Sequence, residues 1–311
     1  MNFIPNLKTV SQNPQRLAAG HRLCPGCGIG VIVKQILTVT DQPIIAVNAT
    51  GCLEICTSAY PQTSWQIPWI HSLFQNAAAV ASGIDAALKA LERKGKLKQK
   101  PKIVVFAGDG GTYDIGLQAL SGLAERNHEV VYVCLDNEGY MNTGYQRSSA
   151  SPLGAATSTT PAGKKIAGKQ TNRKNITAIL AAHNIPYVAQ ASPHNHADLM
   201  LKAHKAFRAE GVAFLNVFSP CPTNWKSAPA LGMEIAKAAV ETNFWPLFEV
   251  KNGKYKLNYE PKERKPIDEF LKGQKRFKHL FKIENAELKN RLQTEVDTRF
   301  AEIKQLADCS K

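Results

Sequence analysis

The chain has 311 residues, 44% of them hydrophobic, with 21 Gly, 17 Pro and a formal net charge of +14, an ordinary globular composition with room for one large α/β domain plus appendages. The polar opening MNFIPNLKTVSQNPQRLAAG has no signal-peptide pattern, and the least polar stretch, Ala77–Leu88, is too short and too interrupted by Ser82, Gly83 and Asp85 to span a bilayer; no membrane contact and a cytoplasmic location are expected. Seven cysteines in such a protein argue for metal, catalysis or buried thiols rather than disulfides, and the thinly spread basic charge lacks the aromatic interleaving of a nucleic-acid platform.

In chain order, Pro43–Val47 reads as a short buried strand, and Gln75–Arg93 as a helix rich in small residues. KIVVFAGDGG follows as a continuous apolar strand stopping at glycines. DIGLQALSGLAERN then has helical spacing, and EVVYVCLDNEG is a second apolar strand. Strand–helix–strand with both strands apolar throughout implies parallel neighbours buried on both faces. Ser148–Asn175, dense in Ser, Thr, Gly, Ala and Lys, reads as a long functional loop. A helix near Ile176–Asn184, a strand at Pro186–Gln190, a helix near His196–Glu210 and a strand at Ala213–Phe218 continue the alternation. Beyond Pro220 the pattern changes to a helix at Ala230–Glu241, a hairpin over Leu247–Leu257 and a charged surface helix over Phe281–Leu306.

Two motifs carry chemistry. Gly108-Asp109-Gly110-Gly111 ends one strand, and Asn137 ends the next, 28 residues after Asp109. Ligands of parallel α/β sheets bind beyond the carboxyl ends of strands, glycines let phosphate oxygens approach the backbone, and Mg2+ takes hard oxygens such as those of Asp109 and Asn137. A helix directly after GDGG would point its positive end at a diphosphate. The competing reading of GDG is an ordinary tight turn. The second motif is Cys24-Pro-Gly-Cys27, followed by single Cys52 and Cys221. Paired thiolates two residues apart chelate a cluster or a zinc, and the fold itself must bring the distant pair to them. Cys56 is a spare candidate, Cys134 reads as core, and Cys309 lies in the tail.

HRLCPGCG, NATGCLEICTSAYP, IHSLFQNAAAVASG, GDGGTYDIGLQALSG, DNEGYMNTGYQRS and SPCPTNW stand in order from about His21 to Trp225. Together they resemble the beta subunit of pyruvate:ferredoxin oxidoreductase, in the 2-oxoacid:ferredoxin oxidoreductase family. The resemblance implies an α/β thiamine-diphosphate-binding fold with a mainly parallel sheet flanked by helices. Residues 1–225 would form the diphosphate-binding domain carrying an iron–sulfur site, and 226–311 a basic C-terminal extension with a long helix. It implies a 4Fe-4S cluster on Cys24, Cys27, Cys52 and Cys221, and Mg2+ on Asp109, Asn137 and the carbonyl of Gly139. Thiamine diphosphate would be contacted by Thr50, Gly51, Cys52, His71, Gly108, Asp109, Gly110, Gly111, Asn137, Asn142 and Thr143.

His71 and Asn142 would lie at the reacting end. The plain alternatives are a helix-entry residue for His71 and turn chemistry before Gly144 for Asn142. The implied reaction is oxidative decarboxylation of pyruvate with coenzyme A, giving acetyl-CoA, CO2 and reduced ferredoxin. A chain of this length has no room for the pyrimidine-binding domain such enzymes also need. An alpha subunit bearing that domain is therefore an expected partner, beside further subunits with additional iron–sulfur clusters. The small residues over Gln75–Gly83, Ala79 among them, suit a contact with that subunit. The alternatives are another 2-oxoacid (oxalate, 2-oxoglutarate or an aryl 2-oxoacid), a non-catalytic iron–sulfur or zinc scaffold, and a thiamine-diphosphate decarboxylase without redox chemistry.

Overall fold

The computed structural model describes residues 6–310. In chain order the strands are β1 (Ile44–Ala49), β2 (Trp69–Ser72), β3 (Lys102–Gly108), β4 (Val130–Asp136), β5 (Tyr187–Ala191), β6 (Ala213–Phe218), β7 (Phe248–Lys251) and β8 (Lys254–Leu257). They form one sheet in the order β2-β1-β3-β4-β6-β5-β7-β8. The first six are parallel, and the β7–β8 hairpin adds antiparallel beside β5.

Period-two alternation explains why these apolar strands need cover on both faces. Along β3, Val104 and Phe106 face one core, with helices Gly28–Leu37 and His196–Phe207. Ile103, Val105 and Ala107 face the other, with helices Ala77–Arg93, Leu117–Glu125 and Ile176–Ala182. β4 repeats the division: Val131, Val133 and Leu135 lie on the first side, Val130, Tyr132 and the fully buried Cys134 on the second. A third core joins Phe218 and Trp225 to Trp245, Phe270, Phe277 and Leu292. It ties helices Gly232–Glu241 and Ala286–Asp308 and the 3-10 segment Lys275–Phe281 to the end of β6.

Helix Gly28–Leu37, the short helix Cys52–Thr57 and the edge strand β2 were not expected from the sequence. The long charged helix runs Ala286–Asp308 rather than from Phe281. Behind β3 the chain makes a single π-type turn, Gly110–Asp114, which holds the last two glycines of GDGG, and the α-helix Leu117–Glu125 follows. The helical run expected behind GDGG is therefore present, with its first turn of π rather than α type. In helix Ala77–Arg93, Ala77, Ala78 and Ala81 turn into the core, and Ala79 and Gly83 face out. Among the described residues, no helix is long and apolar enough to cross a membrane.

Candidate functional site

Because β1, β2, β3, β4 and β6 run in one direction, the segments that leave them gather along one edge of the sheet. Thr50–Cys52, Asp109, Asn137 and Cys221 all follow carboxyl ends of these strands. Both sequence motifs therefore belong to one edge.

Asp109 is fully buried. Its Oδ2 accepts from Ser148 Oγ at 2.5 Å, and its Oδ1 from the Asn137 backbone N–H at 3.3 Å. Burial, and then the neighbouring Asp136, push its carboxyl well above the usual carboxylate range. The Asn137 amide has two settings. With nitrogen inward it donates to Gly139 O and to Asp109 Oδ1, each at 2.9 Å. With oxygen inward, the Asn137 carboxamide oxygen instead stands at those spacings from Gly139 O and Asp109 Oδ1. In an octahedral Mg2+ shell with oxygens at about 2.0–2.1 Å, neighbouring ligands stand about 2.9 Å apart. The donor set thus fits a small hard cation.

A buried ion network fixes this turn. Asp136 pairs with Arg173 at 2.7 Å and accepts from Tyr113 OH at 2.5 Å. Glu138, held at φ 68°, pairs with Arg173 at 3.0 Å and Arg276 at 2.5 Å. Trp225 Nε1 donates to Asn137 O at 3.2 Å. The guanidinium of Arg276 lies 4.0 Å from the Trp225 ring, and that of Arg173 4.8 Å from the Trp245 ring. Two of three neighbouring acids thus have arginine partners; among the described residues Asp109 has no ion pair. That asymmetry leaves it free to meet an added cation.

Next to this, Thr50 Oγ1 lies 2.7 Å from His71 Nε2, across the β1–β2 pair. Glu54 Oε1 stands 3.8 Å from His71 Nδ1. His71, Asn142 and Thr143 are exposed on this chain. The loop carrying Asn142 and Thr143 closes through Tyr140 N–H to Gln146 O at 2.9 Å. Gly110 needs its missing side chain for a local reason: a Cβ would lie 2.4 Å from the Tyr140 ring. Gly108, by contrast, has open space where a Cβ would project.

The cysteine loops meet through close backbone approach. Gly28 N–H donates to Pro220 O at 3.0 Å, and a Cβ on Gly28 would lie 2.7 Å from Pro220 Cδ. A Cβ on Gly26 (φ 76°) would lie 2.2 Å from Pro229 O. Only glycine lets the CPGC arm dock on the loop bearing Cys221. Burial pushes the Cys27 thiol up to about 12, countered by the Ile29 N–H at the start of helix Gly28–Leu37 and reinforced by Cys221, Cys24 and Cys56. The Cys52 thiol is likewise pushed up to about 12, by burial and then by Cys221, Cys27, Cys56 and Cys24. Burial raises Cys221 too, and the N–H groups of Asn224 and Thr223 oppose it. The five thiols lie near one another, but among the described residues no three His, Cys, Asp or Glu side chains converge tightly enough for a single metal ion.

The sequence reading did not single out Ser148, Arg173, Arg276, Tyr113 or Glu54. Arg173 and Arg276 lie in a long loop and in the C-terminal segment, where a charge pattern alone reads as surface. The available signal was the acid–Asn–acid run Asp136-Asn137-Glu138 closing an apolar strand, which demands buried cations.

Residues 49–217 match the family described as "Thiamine pyrophosphate enzyme, C-terminal TPP binding domain". The chain is 52% identical to pyruvate synthase subunit PorB of Methanocaldococcus jannaschii, over 87% of this chain and 92% of that protein. It is 45% identical to ketoisovalerate oxidoreductase subunit VorB of Pyrococcus abyssi, over 85% and 86%. Among solved structures it resembles 2-oxoglutarate:ferredoxin oxidoreductase from Magnetococcus marinus, whose structure holds 2-oxoglutarate, coenzyme A and succinyl-CoA. There the TM-score is 0.55 and the identity 25%, over 71% of this chain and 79% of that one.

Proposed function

The chain belongs to the family of PorB subunits, the beta subunits of 2-oxoacid:ferredoxin oxidoreductases, and from that premise we propose that it holds Mg2+, thiamine diphosphate and a 4Fe-4S cluster for the oxidation of pyruvate to acetyl-CoA and CO2. The observation that carries this is the Asn137 amide standing 2.9 Å from both Asp109 Oδ1 and Gly139 O, the spacing of neighbouring Mg2+ ligands, on the same sheet edge as five thiols.

When bound, thiamine diphosphate supplies the electron sink for decarboxylation, and the cluster takes up the electrons singly. The chain's own residues hold and orient these groups. Asp109 Oδ1, the Asn137 carboxamide oxygen and Gly139 O hold the cation, with Ser148 Oγ fixing the Asp109 carboxylate. Cys24, Cys27, Cys52 and Cys221 hold the cluster, and N–H groups of Ile29, Thr223 and Asn224 stabilise negative charge on its sulfurs. A cluster asks less convergence of its thiolates than zinc does, because each binds a different iron. Thr50 Oγ1 is hydrogen-bonded to His71 Nε2 and orients that ring at the end of β1 and β2.

The reacting face is completed by a second subunit carrying the pyrimidine domain. In support, Ile70, Leu73 and Ile115 are 41%, 65% and 53% exposed on the strand and turns beside the site. The complex reduces ferredoxin and uses coenzyme A. Branched 2-oxoacids are the second substrate reading, favoured by the VorB likeness.

The test is anaerobic purification of the complex, with metal analysis and a panel of pyruvate, 2-oxoisovalerate and 2-oxoglutarate. Iron, acid-labile sulfide, bound thiamine diphosphate and pyruvate-dependent ferredoxin reduction are expected. Stoichiometric zinc without iron, or no retained thiamine diphosphate, overturns the reading. The chain purified without its partner is expected to be inactive with coenzyme A and ferredoxin added; full turnover by it alone defeats the two-subunit site.

Gly26→Ala gives a further check. The left-handed backbone alone costs about 1–2 kcal/mol, and the clash with Pro229 forces the CPGC arm away from the loop bearing Cys221. Iron content should fall well below that of the unsubstituted chain, with the far-ultraviolet circular dichroism retained. Unchanged iron would show that the cysteine site does not depend on this docking.

A further inference from the structure

Five of the seven cysteines gather at the sheet edge, while Cys134 is buried within β4 and Cys309 follows the C-terminal helix. A 4Fe-4S cluster takes four protein thiolates. Resting on the cluster reading above, one thiol is in surplus. Cys56 stands one helical turn after Cys52 in helix Cys52–Thr57, a spacing that sets both side chains on one face. Its carbonyl accepts the Arg22 N–H at 2.8 Å, which pins it to the start of the arm that carries Cys24 and Cys27. Cys24 is exposed, whereas Cys27, Cys52, Cys56 and Cys221 are partly buried. The surplus thiol therefore flanks the most solvent-facing of the four ligands.

We propose that Cys56 is an exchangeable fifth ligand that takes over the iron held by Cys24 when Cys24 is displaced or lost. The exchange is balanced without redox chemistry. The Cys56 thiol gives up its proton as its sulfur bonds to that iron, and the departing Cys24 thiolate accepts a proton. An exposed ligand is the one most open to chelators and electrophiles, and a neighbouring thiol recaptures the iron before it diffuses away.

The experiment compares the unsubstituted complex with Cys24→Ala, Cys56→Ala and the double variant, all prepared anaerobically. Iron and sulfide are measured, with the electron paramagnetic resonance of the reduced state. Cys24→Ala should keep full iron and sulfide with an altered resonance, and the double variant should lose both. Equal iron loss in Cys24→Ala and the double variant overturns the exchange while the unsubstituted complex, holding iron, still supports the cluster. Absence of iron from the unsubstituted complex overturns both. Should Cys24→Ala fail to fold, Cys56→Ala decides the matter. It should start with full iron but release it to an external chelator severalfold faster, and an unchanged release rate overturns the proposal.

Discussion

Asp109→Ala is expected to weaken retention of Mg2+ and thiamine diphosphate by at least about 100-fold, the upper range for changes that only support a metal ligand. The side chain removed is the one anionic oxygen of the three-oxygen set, and neither Asn137 nor Gly139 can supply charge in its place. The fold should survive. Asp109 has no ion pair among the described residues, so its loss leaves no arginine stranded, only the Ser148 hydroxyl and the Asn137 N–H without an acceptor. Iron content should be largely retained, because the cysteines are held by other loops. Calorimetry of cofactor binding to the anaerobic complex, with iron analysis in parallel, checks both halves. Unchanged cofactor affinity would contradict the metal assignment.

Arg173→Met should act first on the fold. It strips the partner from Asp136 and one of two partners from Glu138, both fully buried. Breaking a buried pair from one side costs roughly 3–5 kcal/mol, because an uncompensated charge remains. Denaturant unfolding of the variant should show that loss. Replacing Asp136 by Asn together with Arg173→Met should recover part of it. A change within about 0.5 kcal/mol, the usual range for surface substitutions, would mean that the network contributes nothing to the fold. Cofactor retention should suffer as well, since Asn137 sits between the two acids that this arginine anchors.

The parallel part of the sheet was legible because its strands are long apolar runs, and runs such as VVFAG and VVYVCL have one reading. The edge strand β2 was not, since WIHS is short, half exposed and no more apolar than a loop. Helix Gly28–Leu37 begins at Cys27, inside a motif whose glycines advertise a turn, and that masked the apolar period that follows. At the site, Asp109, Asn137 and the cysteines could be read from residue type and spacing. Ser148, Arg173 and Arg276 could not. Their roles depend on contacts made across 35 to 138 residues of chain, which no local pattern records. Glycines tell the same story: Gly110 reads as phosphate-binding, yet the ring of Tyr140 by itself requires it.

The place of β2 at the margin of the sheet bears on how the chain behaves before assembly. Among the described residues its outer side has no strand neighbour, and Ile70 on it and Leu73 just after it are exposed. An open strand edge with apolar neighbours is a template for pairing with another copy of itself. Its length of four residues limits that tendency but does not remove it. A chain left with this edge uncovered is open to self-pairing there, so whatever covers the edge protects solubility as well as completing the sheet.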